Sequence, residues 1–144
     1  MPVILLDVNV LVALGWPNHA ASSAAHRWFL ANARRGWATC ALTQLGFVRH
    51  SLNPRVVQSS ATSGAVLGLL RSLVATPGHV FWPDVPIAAD ASDVWPRVTG
   101  HQQVTDAYLI ALAKHHGGKV ATFDRAMAAF DPAVVELLPS SPSP

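Results

Sequence analysis

Four consecutive apolar residues, Val3-Ile4-Leu5-Leu6, run straight into a carboxylate at Asp7. The run is too short for a helix, and a strand that is apolar at every position has both faces covered, as in the middle of a parallel sheet. Ligands of open α/β sheets bind in the crevice outside the carboxyl ends of the strands, so an acid at that point is placed for chemistry. Taken alone, Asp7 serves equally well as the cap of a helix beginning near Val10, because Asp and Asn are preferred N-caps. Other acids brought to the same edge would separate the two roles.

The rest of the chain alternates helical and extended patterns. Val10–Leu14 reads as a short helix ended by Gly15-Trp16-Pro17. A longer helix runs from Asn18 or His19 to about Arg34, with Ala25, Trp28, Phe29 and Ala33 on one face and Arg34-Arg35-Gly36 as its stop. Trp37–Cys40 is a second strand, and Thr43 caps a helix reaching Asn53-Pro54. A helix over Ser60–Ala75, a strand over His79–Trp82 and one or two helical turns between Asp90 and Trp95 follow. Val104–His116 is a helix stopped by Gly117-Gly118, and Lys119–Phe123 is a strand ending at Asp124. Ala126–Phe130 is short and helical, Val134–Leu138 is an edge strand, and Pro139–Pro144 reads as a disordered tail. Strands and helices alternating over short connections imply an α/β fold of one domain, residues 1–138, with a central, mostly parallel sheet between layers of helices.

That topology brings further acids to Asp7. A helix from Asp106 to His116 is about 16 Å long and a strand from Lys119 to Asp124 about 20 Å, so helix and strand cover nearly the same distance in opposite directions. Asp106 and Asp124 thereby return to the carboxyl edge. Three of the eight acids in the chain are expected to meet there. Close carboxylates repel, so at neutral pH they take up protons or hold a cation. Oxygen donors suit a hard divalent ion, Mg²⁺ or Mn²⁺, which retains waters for phosphate chemistry.

These residues also carry a family resemblance. Leu6-Asp7-Val8-Asn9-Val10-Leu11, Thr105-Asp106-Ala107-Tyr108-Leu109-Ile110-Ala111 and Ala121-Thr122-Phe123-Asp124-Arg125 resemble the three acidic motifs of the PIN domain. Their spacing, and the segment Thr43-Gln44-Leu45-Gly46-Phe47-Val48-Arg49 between them, is similar to that of the VapC toxins of bacterial type II toxin–antitoxin pairs. The resemblance implies a three-layer PIN-like fold and a cytoplasmic, homodimeric endoribonuclease dependent on Mg²⁺ or Mn²⁺. It also implies inhibition by a small VapB-like antitoxin. By the same resemblance Asp7, Asp106 and Asp124 match the metal-binding acids, and Asn9, Arg49, Thr122 and Arg125 are candidate substrate contacts. One position departs from the family pattern: Gln44 stands where a fourth acid, a glutamate, is common. An amide can coordinate or orient water, so Gln44 joins the catalytic candidates, yet it brings no charge. The departure also opens an alternative, a catalytically weakened PIN-like module that binds RNA or protein.

Composition bounds the remaining classes. Charged residues make up only 12% and hydrophobic residues 51%, which leaves apolar surface for a second protein to cover, by self-association or with a partner. Net charge is +2, too mild to single out nucleic acid. The single Cys40 excludes an internal disulfide and a cysteine-rich zinc site, and the histidines lack ligand spacing. No stretch approaches the roughly 20 apolar residues of a membrane span, and the N-terminal run lacks the basic flank of a secretory signal. A haloacid dehalogenase-like phosphatase would need a second Asp where Asn9 stands, and a response-regulator receiver would need adjacent acids and a late lysine.

Overall fold

The structure is a computed structural model that describes residues 2–139. Five strands, β1 (Ile4–Leu6), β2 (Trp37–Thr39), β3 (His79–Phe81), β4 (Lys119–Thr122) and β5 (Val135–Leu137), form one sheet in the order β3-β2-β1-β4-β5. Every pairing is parallel, with Leu5 of β1 opposite Ala38 of β2 on one side and Val120 of β4 on the other. The mostly parallel sheet expected from the sequence is thus parallel throughout, and Val135–Leu137 forms the edge.

Strand alternation builds two cores from the apolar run. Ile4 and Leu6 point into a layer with Val10, Leu11, Phe47, Val66 and Leu70, carried by helices α1 (Val8–Gly15), α3 (Ala41–Ser51) and α5 (Ser63–Val74). Leu5 points to the opposite face, among Leu109, Ile110, Leu112 and Ala113 of α6 (Val104–His115), with Trp82 and Met127. Leu5 and Leu6 have no exposure at all, as a strand covered on both faces requires. Helices α2 (Ser22–Asn32), α4 (Pro54–Val57) and α7 (Arg125–Phe130) complete the helical layers.

The chain departs from the expected boundaries where local caps decide. α3 begins two residues before Thr43, with Cys40 as N-cap, and Cys40 N donates to Thr43 Oγ1 at 3.0 Å from within the first turn. Past Asn53-Pro54 a further helix, α4, forms, with Asn53 Oδ1 accepting from Arg55 N at 3.0 Å and Pro54 in the first turn. Between β3 and α6, short 3-10 turns form at Ile87–Ala89 and Trp95–Arg97, so of the Asp90–Trp95 stretch expected to be helical only Trp95 is. There Asp90 instead accepts from Ser92 N at 3.0 Å and Trp95 Nε1 at 2.7 Å, an Asx turn in place of a helix. From residue 140 onward the expected tail lies outside the described residues. Among the described residues, no helix is long and apolar enough to cross a membrane.

Candidate active site

The strand order reverses at β1: the chain passes from β1 outward to β2 and β3, then returns to β4 on its other side. Such a switch point leaves a crevice at the carboxyl ends of the two strands it separates, here β1 and β4. Asp7 directly follows β1, and Asp124 follows β4 with one residue, Phe123, between. Asp106 stands in the first turn of α6, which packs against β1 and β4, so it reaches the same edge from the neighbouring layer.

Asp7 is the cap of α1 and is also tied to the neighbouring strand. Its Oδ1 accepts from Val8 N at 2.8 Å, capping α1, while Oδ2 accepts from the Thr122 hydroxyl at 2.7 Å. Asp7 N donates to Ala121 O at 3.0 Å, so the ladder between the two strands continues to the acid. Asp124 caps α7, its Oδ1 accepting from Ala126 N at 2.8 Å and from Met127 N at 3.4 Å. Asp106 is half-buried and accepts no hydrogen bond from the described residues.

Thr122 ties the arrangement together. It is fully buried, and its hydroxyl donates to Asp7 while accepting from Asp124 N at 3.0 Å and Asn9 Nδ2 at 3.2 Å. One donor and two acceptor sites are thus all used. Asn9 Oδ1 in turn accepts from Phe123 N at 3.2 Å. Among the expected substrate contacts, Thr122 is the one without surface, its hydroxyl spent on Asp7, Asn9 and Asp124. Asn9 is engaged at both ends of its amide and braces the start of α1 against the end of β4.

The charges of the acids act on one another. Asp106 is pushed up to about 6, first by desolvation and then by the charges of Asp7 and Asp124. Burial also raises Asp7, opposed by its hydrogen bonds to Thr122 and Val8, with the Asp124 charge adding to the rise. Among the described residues no cation forms an ion pair with any of the three. Such an excess of negative charge on oxygen donors suits a hard divalent cation. Among the described residues, however, no three His, Cys, Asp or Glu side chains converge to hold an ion by themselves. Mg²⁺ commonly uses one or two carboxylates and keeps several waters, so the donor set fits a hydrated ion better than an all-protein cage.

The other candidates form no hydrogen bond to the acids among the described residues. Gln44 Nε2 donates to Thr39 Oγ1 at 2.9 Å, and Thr39 Oγ1 lies 2.7 Å from His79 Nε2, which holds the amide on the end of β2. Arg49, in the last turn of α3, and Arg125, the first residue of α7, are exposed and form no ion pair among the described residues. Two features lie beyond the motifs. An open apolar recess lined by Leu42, Leu45, Val85, Ile87, Val104 and Tyr108 separates the first turns of α3 and α6. A cleft of about 280 Å³ opens at Asp7, lined in part by His19 and His50.

Comparison with known proteins agrees with this geometry. The PIN domain family model matches residues 4–131. Ribonuclease VapC39 of Mycobacterium tuberculosis is 47% identical over 125 residues, covering 86% of this chain and 90% of that protein. Ribonuclease VapC38 of the same organism is 46% identical over 120 residues, 83% of this chain and 84% of that protein. Ribonuclease VapC29, also from Mycobacterium tuberculosis, is 38% identical over 138 residues, 96% and 98% of the two chains.

Proposed function

The chain belongs to the PIN-domain family, and from that premise we propose that it is an endoribonuclease toxin of a type II toxin–antitoxin pair that cleaves RNA phosphodiesters with a bound divalent cation. What supports the reading is two aspartates at the ends of adjacent strands at the switch point of a parallel sheet and a third in the first turn of the helix packed on those strands, none of them ion-paired among the described residues. Relatives named as ribonucleases over most of the chain do not favour the alternative of a binding-only module.

Asp7, Asp106 and Asp124 would hold Mg²⁺ or Mn²⁺. Bound there, the ion supplies Lewis-acid activation of water and offsets charge developing on the phosphate. The chain's own contribution is orientation and charge. Val8 N–H and the Thr122 hydroxyl fix the Asp7 carboxylate, and Thr122 also fixes the backbone at Asp124. Asp106, raised to about 6 by desolvation and by the charges of Asp7 and Asp124, is mostly a carboxylate at neutral pH and so is available to hold the ion. Arg49 and Arg125 are available for the RNA backbone, which positions a strand without reading its sequence. The half-exposed Leu45, Ile87 and Val104 around the apolar recess support protein partners, a VapB-like antitoxin and a second copy in a homodimer.

The test is cleavage of a structured RNA pool with Mg²⁺, with Mn²⁺ and with chelator, running Asp7→Asn in parallel. Metal-dependent cutting that disappears in the variant is the expected result. Folded protein, freed of any co-purified antitoxin, that cuts under no metal would overturn the nuclease.

A further inference from the structure

The cleft at Asp7 is lined by Val8, Val12 and Val56, by Asn9 and by two imidazoles, His19 and His50. Its wall is fixed by contacts distant in sequence. Trp16 Nε1 donates to Ser51 Oγ at 2.9 Å, and Asn18 Nδ2 donates to Val57 O at 2.8 Å, so the loop carrying His19 is fastened to α3 and α4. His19 is fixed in a second way. Its Nδ1 accepts from Ala21 N at 3.0 Å, so that nitrogen carries no proton in the neutral ring and Nε2–H remains as the donor. His50 is exposed in the last turn of α3, near enough to Asp7 for its charge to act on that carboxylate.

Apolar side chains, two imidazole rings and one fixed N–H donor match what a splayed-out base needs. Single-stranded RNA is read by stacking unpaired bases on aromatic side chains, histidine included, and by hydrogen bonds to their edges. An acidic or phosphate-only ligand would have no use for three valines. Asp7 itself lines the cleft, so a strand whose phosphodiester sits at Asp7 has a neighbouring nucleotide within reach of it. We propose that the cleft receives one unstacked nucleobase of single-stranded RNA beside the phosphodiester at the carboxylates, with His19 Nε2–H donating to an acceptor on the base edge and His50 stacking on the base. The site selects which nucleotide flanks the cut, and the inference rests on the ribonuclease reading above.

The experiment measures binding rather than cutting. Labelled nine-nucleotide RNAs, one intact and the others each abasic at one position, are titrated by fluorescence anisotropy in Mg²⁺ against Asp106→Asn protein. In one abasic RNA the affinity should fall about tenfold, the effect expected of losing one stacked base. Adding His19→Asn should shrink that penalty to less than about twofold, since the base has already lost its partner. Asn retains an acceptor for Ala21 N–H, which keeps the loop's turn. His50→Ala provides a second probe on a different element and should shrink the same penalty. A penalty unchanged by both substitutions, or equal at every position, would overturn the cleft. Failure of the two readings can be told apart. Wild-type protein that shows the abasic signature yet cuts nothing in either metal loses the ribonuclease reading, whereas protein that cuts and gives a flat scan loses only the cleft.

Discussion

The two ends of the sheet handle negative charge in opposite ways. Around the amino end Glu136 pairs with Arg35 at 2.9 Å, Asp131 with Arg97 at 2.8 Å and Asp93 with Lys114 at 2.7 Å. Asp93 and Asp131 are held below the usual carboxylate range by hydrogen bonds from Lys114 and Arg97, in Asp131 against an opposing cost of burial. At the carboxyl end, Asp7 and Asp106 are raised, and among the described residues they share no cation with Asp124. A chain with ten basic residues could have paired those acids. Unpaired charge at one end and paired charge at the other separates the end that stabilises the fold from the end suited to bind something.

Charge removal at each end tests that contrast most strongly. Asp106→Asn should lower RNA cleavage by at least about a hundredfold, since even residues behind a metal ligand commonly cost 10–100-fold. Without metal it should melt higher than the parent, because it removes a repelled, partly desolvated carboxylate. Asp131→Asn should do the reverse, leaving cleavage near that of the parent while lowering stability by about 1–3 kcal/mol through loss of two charged partners. Thermal melts and cleavage rates for the two variants measure both quantities. Equal destabilisation by both would erase the distinction between the ends.

Thr122→Val comes next in size. It keeps shape but strips the hydroxyl from Asp7 Oδ2, Asn9 Nδ2 and Asp124 N, at a cost of about 1–3 kcal/mol. Cleavage should fall while the apparent metal affinity falls with it, because the acid is misaimed rather than removed. A variant with parental metal titration would limit Thr122 to the fold.

Why some of this was legible in the sequence and some not follows from range. Asp7 and Asp124 stand at strand ends, and Asp106 opens a helix that returns to the same edge; strand length and helix rise are local quantities. Thr122 was visible as a motif residue, but its role was not, because it depends on Asn9 and Asp7 arriving from more than a hundred residues away. The His19 cleft depends likewise on Trp16–Ser51 and Asn18–Val57 contacts that no local pattern encodes. By contrast, α4 was announced by Asn53-Pro54, a cap followed by a first-turn proline, where the sequence reading placed only a helix end.

The pH dependence of the contrast is smaller and carries a definite sign. Asp106 has its pKa raised from 3.8 to about 6, so the folded protein binds its proton more tightly than the unfolded chain does. The metal-free fold therefore loses stability from this group as pH rises from about 4 to 6, and the loss is constant above. Asp131, being lowered, adds stability above the ordinary Asp range and loses it in acid. The melting difference between Asp106→Asn and the parent should accordingly vanish near pH 4 and be complete above about pH 6. Metal binding should strengthen over the same rise, because the ligand must be deprotonated. A difference independent of pH would place its origin in packing rather than charge.

Gln44→Glu probes how far the unpaired region extends, with the smallest expected effect. The amide donates to Thr39 Oγ1 at the end of β2, one strand over from β1, which Asp7 follows. A carboxylate there would accept the Thr39 hydroxyl's proton in its place, so the contact survives with its direction reversed and the fold changes little. Its charge would act on the acids through a partly solvated edge, where one unit of charge is worth at most about 1 kcal/mol. Mg²⁺ affinity should therefore tighten only a few-fold, read by direct titration. A gain of two orders of magnitude would show that position 44 is a ligand waiting for its charge. No gain would confine the charge-deficient edge to β1, β4 and the first turn of α6.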